Sequence, residues 1–223
     1  MSVDPAFWAG RRVLVTGHTG FKGAWLSLWL SQLGAKVYGF ALPPATNPSL
    51  FEIADVGSRV TSILGDLRDP AQVAEAVHRA GPEIVFHLAA QALVIDSLAD
   101  PVGTMATNVM GTVHLLEAVR AQPSVRAVLT VTSDKVYAND ESGVAFAESF
   151  PLGGKDPYSA SKAATELVVR AWRPRSMRIA AMIGIGDTAT PTARGSNSPS
   201  TGPIENSSRS GADRVVVRHG RIP

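Results

Sequence analysis

The residues with the clearest chemical potential are a tyrosine and a lysine, Tyr158 and Lys162, at the start of a segment with a helical pattern. Residues at this spacing share one face of a helix, so the ammonium group would lie near the phenol. A nearby cation favours the phenolate, which can remove a proton from a substrate hydroxyl while a hydride leaves the same carbon. The spacing therefore predicts a base for alcohol oxidation, and the alternative is an exposed helix pair without chemistry.

A second motif is the glycine-rich segment from Thr16 to Gly23, which follows a predicted strand and opens a predicted helix. Gly17 permits a tight turn, Gly20 lets the backbone approach a pyrophosphate, and Gly23 allows close packing of helix on strand. A phosphate would lie on the free N–H groups at the helix N-terminus. The segment therefore predicts a dinucleotide-binding loop.

The charges near this loop leave the choice of dinucleotide open. Residues 37–51 contain no acid that would bind a ribose 2′-hydroxyl, and they contain no lysine or arginine that would bind a 2′-phosphate. Asp66 follows the third predicted strand, where its carboxylate would accept the adenine amino group; the alternative is a turn residue. Asp69, with Pro70 after it, is better explained as a helix N-cap, and Asp156, with Pro157 after it, is predicted to cap the last helix in the same way.

Further polar motifs follow the next two predicted strands. Ser133 lies after the fifth strand, where a hydroxyl can bind the reacting oxygen. Its neighbours Asp134 and Lys135 form a charged pair that is costly to bury without a purpose, although a polar strand end facing water is the alternative.

The fourth strand ends in the sequence HLAAQ, residues 87–91, whose small side chains let a cofactor approach the backbone. His87 is expected to be a structural histidine with both ring nitrogens bonded. Asn108 is expected to begin the long helix that follows, as a backbone-bonding or relay residue or as an ordinary cap.

The scaffold for these motifs is an alternation of strands and helices. Apolar runs predict strands at residues 12–16, 36–40, 59–64, 83–88 and 125–132, and helical spacing predicts helices at about 21–33, 69–80, 109–119 and 156–172. This pattern is typical of α/β proteins with a parallel sheet covered on both faces, here a Rossmann-type doubly wound sheet. Ligands bind such sheets beyond the carboxyl ends of the strands. Trp25 and Trp29 of the first of these helices are expected to be core.

Composition excludes several classes of site. The 223 residues include no cysteine, so disulfides, thiolate catalysis and iron–sulfur clusters are excluded. The five histidines show no ligand spacing, and no metal is expected. The longest uncharged apolar stretch, residues 23–35, is too short to cross a bilayer, and the N-terminus lacks a signal-peptide core. No membrane partner is expected, and a cytoplasmic location is the default.

The last fifty residues differ in composition from the rest. Residues 174–223 contain no Leu, Lys, Phe, Tyr or Trp, and seven arginines stand against three acids. We expect residues 1–173 to form a dinucleotide-binding Rossmann domain and residues 174–223 to be an Arg/Ser/Thr/Pro/Gly-rich, largely disordered tail with one strand at 178–183. Scattered arginines without aromatic residues do not predict nucleic-acid binding.

With these motifs in place, residues 6–173 resemble the extended short-chain dehydrogenase/reductase superfamily and, within it, the CDP-glucose 4,6-dehydratase family. The glycine loop, HLAAQ, NVMGT and the Tyr158–Lys162 spacing are shared across the superfamily. Narrower similarity lies in FWAGRRVLVTGHTGFKGAWLSLWL, PPATNPSLFE, TSDKVY and GGKDPYSASK. Other sugar-nucleotide 4,6-dehydratases usually have Asp-Glu where this chain has Asp134-Lys135.

The resemblance implies a chemistry and a set of residues. Tyr158, assisted by Lys162 and Ser133, would deprotonate the sugar C4 hydroxyl as hydride passes to NAD. Asp134 would protonate the departing C6 hydroxyl, and Lys135 takes the place of the C5 base. Hydride return to C6 would convert CDP-glucose to CDP-4-keto-6-deoxyglucose. The implied NAD contacts are Gly17, Thr19, Gly20, Phe21, Gly23, Asp66, Leu67, Leu88, Ala89, Ala90, Asn108, Tyr158 and Lys162.

Two departures from the resemblance keep other functions open. First, an Arg-rich stretch typical of the family is replaced by residues 93–98, LVIDSL. Second, the sequence after residue 173 does not resemble the family's C-terminal substrate domain, and a truncation or frameshift would explain this second departure. The alternatives are an inactive cofactor-binding remnant or a sugar-nucleotide epimerase; Asp134 and Lys135 argue against an epimerase, which needs no acid–base pair for loss of water. Pairing through the helices that carry Val113 and Tyr158, as in relatives, would give a homodimer.

Overall fold

The computed structural model describes residues 3–141, 143 and 145–172 and the backbone of residues 178–182. Its strands are β1 Arg12–Thr16, β2 Lys36–Ala41, β3 Thr61–Leu64, β4 Ile84–His87, β5 Ala127–Val131 and β6 Arg178–Met182. They form one parallel sheet in the order β3-β2-β1-β4-β5-β6, so the predicted Rossmann-type architecture is confirmed. The strand predicted at 178–183 is also confirmed as far as Met182, whereas the rest of the predicted tail lies outside the described residues.

Eight α-helices connect or flank these strands in the described part of the chain. They are α1 Pro5–Trp8, α2 Phe21–Gln32, α3 Leu50–Ile53, α4 Pro70–Ala80, α5 Val94–Ala99, α6 Pro101–Met105, α7 Gly111–Arg120 and α8 Pro157–Ala171. The predicted N-caps are confirmed, because the Asp69 side chain accepts from Ala71 N and Gln72 N, and Asp156 accepts from Ser159 N. No helix among the described residues has the length and apolar character needed to cross a bilayer.

Three local elements differ from the sequence expectation. Strand β3 begins at Thr61 rather than at residue 59, because the 3-10 helix Val56–Ser58 leaves Arg59 in helical backbone geometry. The long predicted helix is preceded by a π-helical turn, Ala106–Met110, before α7 starts. Helices α5 and α6 are too short to show a period in sequence.

The two faces of the sheet are covered differently. Side chains of consecutive strand residues point to opposite faces, and Leu14, Val85 and Val128 point to the face that packs against α4, α7 and α8. Val15 and Phe86 point to the other face, where α2 packs. We call the face that packs against α4, α7 and α8 the covered face and the face that packs against α2 the open face.

The prediction that Trp25 and Trp29 are core is wrong. Their exposed fractions are 55% and 49%. Beside Trp29 the open face has an apolar groove of about 360 Å³, which is also lined by Trp8, Phe86 and Leu129. The helical spacing of α2 did not identify its buried side, which carries small side chains and Leu30, and no described element covers the groove beside Trp29.

Candidate active site

The tyrosine and lysine lie on the N-terminal half of α8. The backbone N–H of Tyr158 donates to Ser97 Oγ at 3.1 Å, which ties the first turn of α8 to α5. Lys162 is buried, and its Nζ donates to the carbonyl oxygen of Val131 at the end of β5, 3.0 Å away. Burial lowers the pKa of Lys162 to about 8, although the nearby Glu166 carboxylate raises it in part. The lysine is thus held at the carboxyl end of the sheet.

Ser133, Asp134 and Lys135 follow β5 directly. Ser133 is the N-cap of the 3-10 helix Asp134–Val136, and its Oγ accepts from the N–H of Lys135 at 3.0 Å. Asp134 and Lys135 are exposed, so the argument that their burial would be costly does not hold. Both line a polar cavity of about 180 Å³ that also contacts Asp156 and Ser159 near the start of α8. The charged pair and the tyrosine–lysine helix therefore border one region.

Two glycines of the dinucleotide loop are required by backbone geometry. Gly17 has a φ of +78°, and a Cβ there would lie 2.8 Å from the backbone nitrogen of Ala89. A Cβ at Gly23 would collide with the carbonyl oxygen of Gly17. At Gly20 a Cβ would meet only that oxygen, at 3.4 Å, so the space before the N-terminus of α2 is open. This space, next to free helix N–H groups, fits the pyrophosphate of a dinucleotide.

Side chains of the loop hold it against β2 and β3. Thr19 Oγ1 donates to the carbonyl oxygen of Leu42 at 2.8 Å, and Phe21 is exposed at the start of α2. His18 is fully buried; its Nε2 lies 2.7 Å from Ser62 Oγ, and its ring occupies the space where Gly39 has no side chain. Burial lowers the pKa of His18 to about 4. Sequence reasoning missed this residue, although a glycine inside a strand is a signal for such close packing.

Asp66 and Leu67 lie just beyond β3. The carboxylate of Asp66 accepts from the guanidinium of Arg68, with Nε–Oδ2 at 2.8 Å, and this bond lowers the pKa of Asp66. Leu67 is buried in the core, and its carbonyl oxygen lies 2.9 Å from His114 Nδ1. A carboxylate has capacity for further donors, so the adenine contact of Asp66 stays a prediction.

The HLAAQ segment anchors β4 to its neighbours. His87 is buried, with Nδ1 2.7 Å from Thr16 Oγ1 and Nε2 3.0 Å from Thr112 Oγ1, and burial lowers its pKa to about 3. This agrees with the expected structural histidine. The N–H of Ala89 donates to Thr16 Oγ1 at 3.2 Å. Leu88 and Ala89, which lie beside Gly17, and the following Ala90 are half-buried.

The sequence indicated that Asn108 begins the long helix. In the structure it instead lies within the π-helical turn that precedes α7. Its Oδ1 accepts from Gln91 N at 2.8 Å, and its Nδ2 donates to Gln91 O at 3.0 Å and to Ser161 Oγ at 2.8 Å. The predicted backbone-bonding role is therefore observed. The turn joins the segment after β4 to α8, and single π-turns are frequent at functional sites.

Two buried residues that the sequence did not single out contact this helix or the end of β5. They are Ser97, which binds the N–H of Tyr158, and Glu166, whose Oε1 accepts from Thr132 Oγ1 at 2.6 Å. Neither stands in a recognisable sequence motif. Within the described residues, no group of three His, Asp or Glu side chains converges in a way that would hold a metal ion.

The chain is similar to known sugar-nucleotide 4,6-dehydratases in sequence. The family model described as GDP-mannose 4,6 dehydratase matches residues 14–199. A CDP-glucose 4,6-dehydratase of Salmonella typhimurium is 52% identical over 171 residues, which are 77% of this chain and 48% of that protein. The chain thus spans about half the length of this curated relative.

Solved structures agree on the fold. The structure of a dTDP-glucose 4,6-dehydratase double mutant from Streptomyces venezuelae, with NAD and DAU bound, matches with a TM-score of 0.66 at 30% identity, covering 76% of this chain and 54% of that one. A Thermus thermophilus UDP-glucose 4-epimerase in complex with NAD matches with a TM-score of 0.67 at 31% identity, covering 77% and 54%. Both similar proteins were solved with NAD.

Proposed function

This chain belongs to the GDP-mannose 4,6-dehydratase family, and from that premise we propose that it carries the NAD-binding and catalytic part of a CDP-glucose 4,6-dehydratase. The proposal depends on one observation above all. Lys162 is buried at the carboxyl end of β5, on the same helix as Tyr158, and the exposed pair Asp134 and Lys135 follows that strand. The 52% identity to a CDP-glucose 4,6-dehydratase favours CDP-glucose as the substrate.

In this proposal the tyrosine–lysine helix performs the first proton transfer. Tyr158 removes the proton of the sugar C4 hydroxyl, Lys162 stabilises the phenolate by its charge, and Ser133 donates a hydrogen bond to the reacting oxygen. The glycine loop would hold NAD, which would supply the hydride acceptor and the later hydride donor. The region assigned to this cofactor domain is residues 1–173.

The exposed pair performs the loss of water. The 4-ketone acidifies the C5 proton, which Lys135 removes in its neutral form, and Asp134 in its protonated form donates a proton to the departing C6 hydroxyl. Both residues line the polar cavity beside α8, where solvent can restore their protonation states. Return of the hydride to C6 and of a proton from Lys135 to C5 would then give a 4-keto-6-deoxy sugar.

The test is a reaction of the purified chain with CDP-glucose and NAD in deuterated water, followed by NMR. The proposal predicts a new C6 methyl signal and deuterium at C5. Tyr158→Phe should reduce the rate by about 10²–10⁴-fold, and Lys135→Met should stop at the 4-keto sugar. Formation of CDP-galactose without a methyl signal would instead identify an epimerase. Binding of NAD without any product would identify a cofactor-binding remnant.

A further inference from the structure

Two consecutive residues at the end of β5 are bonded to two consecutive turns of α8. The carbonyl oxygen of Val131 accepts from Lys162 Nζ at 3.0 Å, and Thr132 Oγ1 donates to Glu166 Oε1 at 2.6 Å. Thr132, Lys162 and Glu166 have exposed fractions of 5%, 6% and 6%. This pair of bonds joins the strand that leads into Ser133 to the helix that carries the tyrosine.

The position of Glu166 is unusual for a carboxylate. It is buried, yet none of the ion pairs found among the described residues includes it. Burial of a charge is costly unless that charge is hydrogen-bonded or compensated. Its hydrogen bond comes from Thr132, and it lies one turn beyond Lys162, as Lys162 lies one turn beyond Tyr158. The Glu166 carboxylate therefore affects two parts of the site: the strand end at Thr132 through a hydrogen bond and Lys162 through its charge.

We propose that Glu166 is a positioning residue, which holds the segment of residues 133–135 in place through Thr132 and supplies a negative charge one helical turn beyond the buried Lys162. Through Thr132 it fixes the start of the segment that carries the dehydration pair. Through its charge it compensates the buried ammonium group. The consequence for turnover rests on the proposed function, whereas the physical effects on Lys162 and on residues 133–135 do not.

The charges around Lys162 support this role. Glu166 raises the pKa of Lys162, whereas Lys22, at the start of α2, lowers it. His87 of β4 also faces Lys162, but it is neutral at pH 7 because its own pKa is about 3. Glu166 therefore favours the cationic form of Lys162 and offsets part of the lowering of its pKa by burial and by Lys22.

The first test separates charge from hydrogen bonding by Glu166→Gln, which keeps an oxygen acceptor for Thr132. The chain has five lysines, so ¹³C-labelled lysine side chains can be titrated individually by NMR. We expect the pKa of Lys162 to fall by roughly half a unit or more in this variant, because an attractive charge is lost. Glu75→Gln on the exposed side of α4 is the matched control and should leave Lys162 unchanged.

The second test removes the hydrogen bond but keeps the charge. In Thr132→Val we expect about tenfold faster hydrogen exchange at the N–H of Lys135, which is bonded to Ser133 Oγ, because the segment loses one of its anchors. Thr104→Val, which removes a buried hydroxyl from α6, should leave this amide unchanged. Thermal unfolding of all four variants confirms that native protein is being compared.

The proposal is overturned if Lys162 titrates as in the unaltered chain in Glu166→Gln and Lys135 exchanges as in the unaltered chain in Thr132→Val. If the unaltered chain converts CDP-glucose, Glu166→Gln should lower kcat more than it changes KM, and the alkaline limb of kcat should move to lower pH. If the unaltered chain forms no product, the proposed function fails, but the NMR and exchange results still decide the role of Glu166.

Discussion

The covered and open faces of the sheet are supplied by the same strands, yet they bury apolar side chains to different extents. On the covered face, Val85 and Val128 are at most 1% exposed beneath α4, α7 and α8, and Leu116 of α7 in the same cluster is 1% exposed. On the open face, Phe86 and Leu129 line a groove at the edge of α2. An apolar strand sequence therefore indicates that both faces are suited to burial, but the covering elements decide whether burial occurs.

The largest expected effect is a difference between two leucine truncations. Leu116→Ala on the covered face should lower the free energy of unfolding by about 2–5 kcal/mol, because it leaves a cavity in a closed core. Leu26→Ala at the groove should cost about 1 kcal/mol, since this side chain is only half-buried. Urea unfolding of both variants measures the difference. Equal losses would contradict the distinction between the faces.

A second prediction compares two buried histidines. His87 lies between β1 and α7, and His18 packs on Gly39, which shares its face of β2 with Val37 of the open face. Both have lowered pKa values, about 3 and about 4. Below pH 6.5 these histidines bind protons in the unfolded chain but stay neutral in the native chain, so the free energy of unfolding falls as the pH falls.

The expected slope is about 1.4 kcal/mol per pH unit for each histidine. It should extend down to about pH 3 for His87 but end near pH 4 for His18. Urea unfolding of His87→Gln and His18→Gln from about pH 7 to about pH 3 measures each contribution as the reduction of the acid limb. An acid limb unchanged in both variants would show that neither histidine is protected from protonation.

A third prediction concerns Lys162, whose pKa of about 8 lies below its ordinary value of 10.5. Below pH 8 both states are protonated, so the cost of burying the charge is fully present. Between these pKa values the unfolded chain holds the proton and the native chain does not, so stability rises with pH relative to Lys162→Met. The difference should change by about 1 kcal/mol from pH 8 to pH 9, because the native lysine is already half deprotonated at pH 8. Urea unfolding at the two pH values measures this change. A constant difference would mean that the lysine is not desolvated.

Local signals in the sequence predicted most of the scaffold. Hydrophobic period and capping residues such as Asp69 and Asp156 identified α2, α4 and α8 and the strands to within a few residues, because these features depend on neighbours in the chain. The Tyr158–Lys162 spacing and the glycine loop identified the candidate site for the same reason. What the sequence indicated correctly was therefore local geometry.

The errors concern contacts between distant segments. The exposure of Trp29 depends on what covers the groove, and the exposure of Asp134 depends on how the 3-10 helix packs on α8. The π-helical turn carries Asn108, whose side chain is bonded to Gln91 and Ser161, and both partners are far from it in sequence. Glu166 was missed because its partner Thr132 lies on another element. None of these contacts leaves a periodic signal.

The smallest expected effect is a change in dye binding at the groove. An apolar surface of this kind binds dyes such as anilinonaphthalene sulfonate, so the folded chain should enhance the dye's fluorescence. The bound dye should also quench the fluorescence of Trp29, which lines the groove. Leu129→Gln places an amide in the groove and should weaken dye binding by several-fold, about 1 kcal/mol. Leu64→Gln is the matched control, because Leu64 is 58% exposed at β3 and does not line the groove. Equal dye affinity in the two variants would mean that the groove is not the apolar surface that distinguishes the open face.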